Sequence, residues 1–550
     1  MMNQSVRSFL RQGLTKLLPC LMVLTGCESE NLPDNPAPEI VLNEAQNITR
    51  NSARLSGSVT LLSEQSYTDR CLFRYGTTRE SLERTEEPTP AEEQEQVSST
   101  LEGLKPGTTY YFCLEAGNER YRRQSVVRSF TTLPNDPPRI GSITFWGQGP
   151  ISILLQCSLT DDGGDPVTAV GFRYTAKGGE PQEAKAELTE DRQWQLRLSP
   201  LEMNRDYTVE AFAENCNGRT YSEPYAFKTS DAVMLVKPGT LPAVIGEEDI
   251  DRFTELSILS PMNGTDFRFL RKMCGKDHLG KPTRGKLQRI NLTNSEIVEG
   301  GLAYDESHFT ERHVVGQGMF ADLPQLQEIN LPEKTRLIGQ DAFRNCSSLT
   351  RISIPAATEQ LIPSRGCSSL QRVDITPGNK QYQSVDGVVY NGSGEALVWW
   401  PEGLKRETIT FSPTLKAIEE RALQQCRVRH IVLPNSLERI GNLAFYGSEM
   451  ESVKLPDHLE TLAPGVFQSC KNLKEMTLGS NCKLLSEFCL DGCELQHLYV
   501  NAEIPPACEP KAFGDESKLF ATCIVHVPAQ RLTAYRSHAF WKQFQFIQEK

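Results

Sequence analysis

Two hydrophobic rhythms divide the chain. Between residues 38 and about 230, short segments alternate apolar and polar positions, as in Ala53-Arg54-Leu55-Ser56-Gly57-Ser58-Val59 and around Leu72, Phe73 and Tyr75. Alternation with period two, bounded by turn residues, predicts half-buried β-strands. From about residue 287 the rhythm changes. An L-x-x-I-x-L segment recurs at Leu326/Ile329/Leu331, Leu349/Ile352/Ile354, Leu370/Val373/Ile375, Val428/Ile431/Leu433, Leu473/Met476/Leu478 and Leu495/Leu498/Val500. An I-x-x-x-A-F segment recurs at Ile338/Ala342/Phe343, Ile418/Ala422/Leu423, Ile440/Ala444/Phe445, Leu462/Val466/Phe467 and Leu485/Cys489/Leu490. The last strand residue falls at 331, 354, 375, 411, 433, 455, 478 and 500, so the coils step by 21–23 residues with one step of 36.

A fixed period of this length with an apolar frame predicts a leucine-rich solenoid. One coil cannot bury its own apolar edge, and stacking supplies the core. The long step is one coil plus about 14 inserted residues. Asp386-Gly387 and Asn391-Gly392 are turn pairs there, and Val388-Val389-Tyr390 and Ala396-Leu397-Val398-Trp399-Trp400 are strand-like, predicting a β-hairpin near 382–401 that projects from the array.

In the first half, Leu104-Lys105-Pro106-Gly107-Thr108-Thr109-Tyr110 places a turn before a strand-opening tyrosine, and Leu201 and Tyr207 keep the same spacing. Gly171-Phe172-Arg173-Tyr174 mirrors Leu72-Phe73-Arg74-Tyr75. The arrangement resembles the tyrosine corner of immunoglobulin-like and fibronectin type III sandwiches, twice over, with Met203-Asn204 standing in place of Pro106-Gly107 in the second copy. Asp161-Asp162-Gly163-Gly164-Asp165 lacks the spaced ligands of a calcium loop and reads as a turn. The repeats resemble the BspA-like leucine-rich family of bacterial surface proteins through Leu433-Pro434-Asn435-Ser436-Leu437 with Ile440-Gly441-Asn442-Leu443-Ala444-Phe445, and through Phe343-Arg344-Asn345-Cys346-Ser347-Ser348-Leu349. Met262 to Leu270 looks like that family's N-terminal cap, with Thr265 as helix N-cap and Phe267, Leu270 and Met273 on one face. Val527-Pro528-Ala529, Tyr535 and Trp541 look like its C-terminal cap. The coil near Pro363 lacks the Ala-Phe pair.

The expected fold is mainly β: two immunoglobulin-like/fibronectin type III-like sandwiches, then a BspA-like solenoid. The expected division is 1–26 signal peptide, 27–37 lipidated tether, 38–133 and 134–231 sandwiches, 232–290 N-terminal cap, 291–502 repeats and 503–550 C-terminal cap. Length agrees, since 550 residues is too many for one domain. With 38% hydrophobic and 23% charged residues, global disorder is excluded. A net charge of −12 argues against a nucleic-acid binder.

The N-terminus sets the compartment. Arg7, Arg11 and Lys16 precede a short apolar run, Leu17 to Leu24, that ends in Leu24-Thr25-Gly26-Cys27. This resembles a bacterial lipobox, implying cleavage before Cys27 and its lipidation. The mature chain would then carry −15. The acidic Glu28-Ser29-Glu30 resembles the surface-export signal of Bacteroidetes lipoproteins, so the expected location is the bacterial outer membrane, lipid-anchored and surface-exposed.

Candidate chemistry is sparse. Cys346, Cys367, Cys426, Cys470 and Cys493 each follow the Phe/Leu slot by three residues and Cys489 takes the Ala slot, which predicts a ladder of small buried thiols rather than a metal cluster. Cys71–Cys113, Cys157–Cys216 and Cys508–Cys523 are candidate disulfides in an oxidising envelope. The eight histidines form neither a metalloprotease motif nor a nucleophile pair, and no Gly-rich phosphate loop follows a strand, so no enzyme, cofactor or metal is expected. Candidate binding residues are Trp399 and Trp400, one of which the strand alternation could expose to a glycan, and Arg351, Arg372, His430 and His497, which share one register on the solenoid strands. The expectation is a non-enzymatic surface lipoprotein whose solenoid binds a protein or glycan partner on a two-domain stalk. The alternatives are a glycan-binding outer-membrane accessory lipoprotein or a structural part of an envelope assembly.

Overall fold

The structure, a computed structural model, describes residues 37–60, 70–90, 95–119, 121–514 and 518–550. The expected signal peptide and Cys27 lie outside the described residues. The chain is mainly β. Among the described residues, no helix is long and apolar enough to cross a membrane.

Residues 39–131 fold as two antiparallel sheets. Ala53–Thr60 pairs with Glu39–Leu42 and Gln96–Leu101 in one; Arg70–Gly76 pairs with Arg84–Glu86 and Thr109–Gly117 in the other. The inward positions Leu55, Phe73, Tyr110, Phe112 and Leu114 make a shared core. Residues 139–228 repeat the plan around Ile153, Leu155, Phe172, Val209 and Ala211. In both units a buried tyrosine hydroxyl accepts a backbone N–H five residues upstream: Lys105 to Tyr110 and Glu202 to Tyr207, both at 2.9 Å. The second corner closes without a Pro-Gly pair because Asn204 adopts the left-handed conformation (φ 56°) that glycine supplies in the first.

The acidic turn at 161–165 fastens the two units together. Arg50 of the first reaches Asp161 at 2.7 Å and Asp136 at 3.6 Å, while Asn135 and Asn217 both donate to Asp165 at 2.7 Å.

The second unit does not end where the solenoid begins. Its strand Thr144–Gly149 pairs antiparallel with Ala232–Leu235, which pairs in parallel with Glu255–Ile258. The same sheet continues through Arg289–Asn291, Glu328–Asn330 and Arg351–Ile354 to Arg372–Ile375, ten strands in all. The division expected at 231/232 falls inside it. The strand Ser152–Cys157 is buried on both faces: Ile153 and Leu155 face the sandwich core, and Leu154 joins the solenoid cluster. Gly147 is required here, because a Cβ would lie 2.4 Å from Val244 of the helix Leu241–Ile245. Arg197 ties the joint by donating to Val244 and Ile245 carbonyls and pairing with Asp249.

The cap helix Gly264–Met273 starts two residues earlier than expected. Its N-cap is Asn263, not Thr265: the Asn263 side chain accepts from Thr265 N, and Asp266 returns the bond to Asn263 N at 2.9 Å. The Thr265 hydroxyl instead accepts from Leu302 N. At the other end, Ile524–Val527 and Phe546–Glu549 prolong the solenoid sheet, and buried Tyr535 and Trp541 donate to the Ala502 and Pro506 carbonyls.

The insertion does not project. Tyr382–Val385, Val388–Asn391 and Ala396–Trp399 form an antiparallel meander whose last strand pairs in parallel with Ala417–Ile418. It is a wall between two cores. Val389, Val398 and Trp399 pack into the N-terminal cluster; Val388, Leu397 and Trp400 pack into the C-terminal one. At this seam the ten-stranded sheet stops at Arg372–Ile375 and a seven-stranded sheet begins at Thr408–Thr410.

Candidate binding notch at the solenoid seam

Each regular coil carries a turn wall built on a fixed count. Ile338 to Cys346 spans eight positions, as does Ile418 to Cys426. The residue before the small slot is left-handed, at Asp341 (φ 54°), Arg421 (φ 57°) and Leu443 (φ 54°). The Phe-slot N–H then donates to the small-slot carbonyl of the next coil, as in Phe320 to Ala342 and Leu423 to Ala444, both 2.8 Å.

The two coils flanking the seam are short. Leu361 to Cys367 spans six positions, two fewer than the rule. The missing Ala-slot carbonyl is replaced by the Ser364 hydroxyl, which accepts from Phe343 N at 3.0 Å. In the next coil Trp400 N donates to Ala422 O at 2.7 Å, so Trp400 fills the Phe slot only three positions after Leu397. Two short coils between two full ones leave a notch of about 480 Å³. Its floor is Leu361, Ile362, Pro363 and Val398; Gln340 stands on one bank and Glu419, Glu420 and Arg421 on the other.

Tyr382 closes the notch at its meander side. Its hydroxyl accepts from Leu361 N at 3.2 Å and lies 3.4 Å from Glu359 O, so it satisfies the open edge of the strand Gln360–Leu361. The charges on the far bank are compensated: Arg439 grips both Glu419 oxygens, and Arg421 lies 3.4 Å from Glu420.

The residues expected to bind are dispersed. Trp399 and Trp400 are each 2% exposed, so neither offers a ring face to a glycan; they point to opposite sides of their strand, but both sides are core. Arg351 and Arg372 are adjacent and exposed on the ten-stranded sheet, where both donate to Asp374. His430 and His497 lie on the seven-stranded sheet beyond the seam, so the four do not form one continuous row. His497 instead bonds His526 at 3.1 Å, whose ring stacks on Tyr499 at 4.4 Å.

All fourteen described cysteines are free thiols, so the three candidate disulfides are corrected. Cys71 lies opposite Ala116, and Cys113 opposite Arg74, three positions along the same strand, which puts the two sulfurs on opposite faces. Cys157 is inside the second core while Cys216 is exposed in a turn beside Asp165. Cys508 has Cys482 and Cys489 as thiol neighbours, not Cys523.

The slot cysteines do more than fill space. Cys346, Cys367, Cys470 and Cys493 donate S–H to the Phe-slot carbonyl of an earlier coil, at Phe320, Phe343, Phe445 and Phe467, over 3.0–3.2 Å. Burial pushes the Cys346 and Cys426 thiols up to about 12 and Cys470 to about 11. In Ellman titration of the native chain, exposed Cys216 is expected to react first among these cysteines. The slot cysteines are expected to react only after denaturation. Rapid native labelling of Cys346 or Cys470, mapped by peptide mass, would contradict the ladder.

Residues 309–385 and 402–519 match the BspA type leucine rich repeat region, in six copies. A leucine-rich repeat protein of Eubacterium ventriosum shares 16% identity, covering 62% of this chain and 91% of that one, with a TM-score of 0.38. One from Bacteroides ovatus shares 15%, covering 60% and 67%, with a TM-score of 0.31. Neural cell adhesion molecule 1 of Gallus gallus is 30% identical over 145 residues, 26% of this chain. The match spans 13% of that protein, and 16% of its Bos taurus counterpart. Over 309–385 and 402–519 the repeats of this chain are thus similar to BspA-type leucine-rich repeats.

Proposed function

We propose that the chain is a non-enzymatic surface lipoprotein of a bacterial outer membrane, anchored through Cys27, whose solenoid strand face binds a protein partner. Residues 39–131 and 139–228 are read as fibronectin type III-like stalk domains, a reading supported by their paired sheets, their two tyrosine corners and the local similarity to neural cell adhesion molecule 1. The observation that carries the proposal is the unbroken ten-stranded sheet. It couples the second sandwich to the solenoid by backbone hydrogen bonds, so the strand face is presented in a fixed orientation and tension passes through the joint. The face itself mixes signs, with Arg289 paired to Glu255 and Arg351 and Arg372 on Asp374. Such a surface suits a polar protein interface better than electrostatic capture of a polyanion.

The test is retention of the full chain on a panel of immobilised host matrix proteins. The Arg351→Ala/Arg372→Ala variant is expected to weaken the retained partner at least tenfold with its melting unchanged. No retention by any member, or retention indifferent to the variant, refutes the strand-face reading. Palmitate labelling that survives in Cys27→Ala refutes the anchor.

A further inference from the structure

We propose that the seam notch is a binding site for a neutral saccharide, one to two sugar units across. The proposal is independent of the strand-face reading and of how the chain is anchored. Three observations carry it.

The first is size and origin. A cavity of about 480 Å³ lies within the ~300–1,000 Å³ typical of small-molecule sites. It is not a packing accident between side chains, because two consecutive coils each lack two backbone positions while their neighbours keep them.

The second is amphipathy. A pyranose has an apolar C–H face and a rim of hydroxyls that both donate and accept. The notch has the matching halves. Its floor is aliphatic, with Leu361 buried and Ile362 41% exposed. Its banks carry carboxamides: Gln340 and Gln381 are exposed, and neither side chain has a hydrogen-bond partner among the described residues. A carboxamide offers a donor and an acceptor in one plane, which suits vicinal hydroxyls.

The third is what the notch refuses. Glu419 is held by Arg439 and Glu420 lies 3.4 Å from Arg421, so the charges of this bank balance, and the buried Arg421 Nε, which has no hydrogen-bond partner, leaves a donor that a neutral hydroxyl can meet. Addition of a peptide as an extra strand is blocked, because the open edge at Leu361 N is taken by the Tyr382 hydroxyl.

The experiment applies the purified full chain to an array of neutral hexose and N-acetylhexosamine oligosaccharides, then titrates the strongest hit by calorimetry. Two variants probe the site without touching a buried group: Gln340→Ala/Gln381→Ala removes the carboxamides, and Ile362→Trp fills the floor. Each is expected to lower affinity at least tenfold while circular dichroism and melting stay unchanged. The proposal is overturned if no neutral saccharide is retained. It is also overturned if both variants bind as the parent does, or if only peptides compete for the notch. Matrix-protein retention that is lost in Arg351→Ala/Arg372→Ala but kept in the notch variants would show the two sites to be separate.

Discussion

Replacing Trp399 with alanine is expected to cost about 3–5 kcal/mol and to split the unfolding of the solenoid into two steps. Trp399 is among the largest fully buried side chains, and it sits on the wall between the two cores. In a stacked array each coil is stabilised by its neighbours, so total stability is a sum of coil terms and interface terms. A cavity within a regular stack weakens one interface among several. A cavity at the seam strikes where both parallel sheets are already interrupted, after Arg372–Ile375 and after Gln360–Leu361. Besides packing, scattered hydrogen bonds join the halves there, among them the Tyr382 hydroxyl at Leu361 N, Gly403 N to Leu370 O, Val373 N to Gly387 O, the Ser384 hydroxyl to Val373 O, and Gly366 N to the Glu402 and Gln425 side chains. Trp400→Ala is expected to act alike from the C-terminal side, where that ring fills a Phe slot under the Arg406 guanidinium, 5.7 Å away. Trp399→Phe should restore most of the loss. Urea unfolding followed by far-UV circular dichroism checks this. A single transition with an unmoved midpoint in Trp399→Ala would show that Trp399 does not couple the halves.

The same prediction separates what could be read from the sequence from what could not. Repeated coils restate their rule many times, so strand, small slot and Phe slot were legible in Leu433 to Phe445 alone. The strand pairing of Trp399 and Trp400 on opposite faces followed from alternation. What covered those faces did not, because burial of an insertion depends on the coils either side of it. The notch is encoded by absence: two missing positions after Leu361 and two after Leu397. The coil near Pro363 was visibly irregular, yet a deficit becomes a cavity only when neighbouring banks are placed beside it. The slot cysteines were legible as small and buried, but their carbonyl acceptors belong to another coil and no local spacing names them. Thr265 looks like an N-cap because it has the right hydroxyl; Asn263 takes the place because its side-chain oxygen accepts from Thr265 N while the Asp266 carboxylate reaches back to accept from Asn263 N. The junction with the second sandwich was hidden for a related reason. Sheet continuation is a property of backbone edges, and Ala232–Leu235 carries no signal that its partners lie in two different units.

The second large effect concerns pH and Glu402. This side chain is 3% exposed, just below the seam, and burial pushes its carboxyl up to about 7. One oxygen accepts from Gly366 N at 2.8 Å, which favours the ionised form but does not offset the desolvation. In the unfolded chain the same group titrates near 4.5. Below pH 4.5 both states hold the proton and Glu402 costs nothing. As the pH climbs from 4.5 to 7, the unfolded chain ionises while the folded one keeps its proton, so stability drains away. Above 7 both are ionised and the loss stays constant, at about 3 kcal/mol for a shift of this size. Glu402→Gln keeps the acceptor for Gly366 N and removes the titration. It is therefore expected to match the parent at pH 4 and to exceed it at pH 8 by up to about 3 kcal/mol. Urea midpoints read by tryptophan fluorescence at the two pH values, with Trp399 and Trp400 reporting from the seam, measure the difference directly. An equal gap between parent and variant at both pH values would mean that Glu402 enters the fold already ionised, held by Gly366 and the nearby Arg427 strongly enough to overcome its burial.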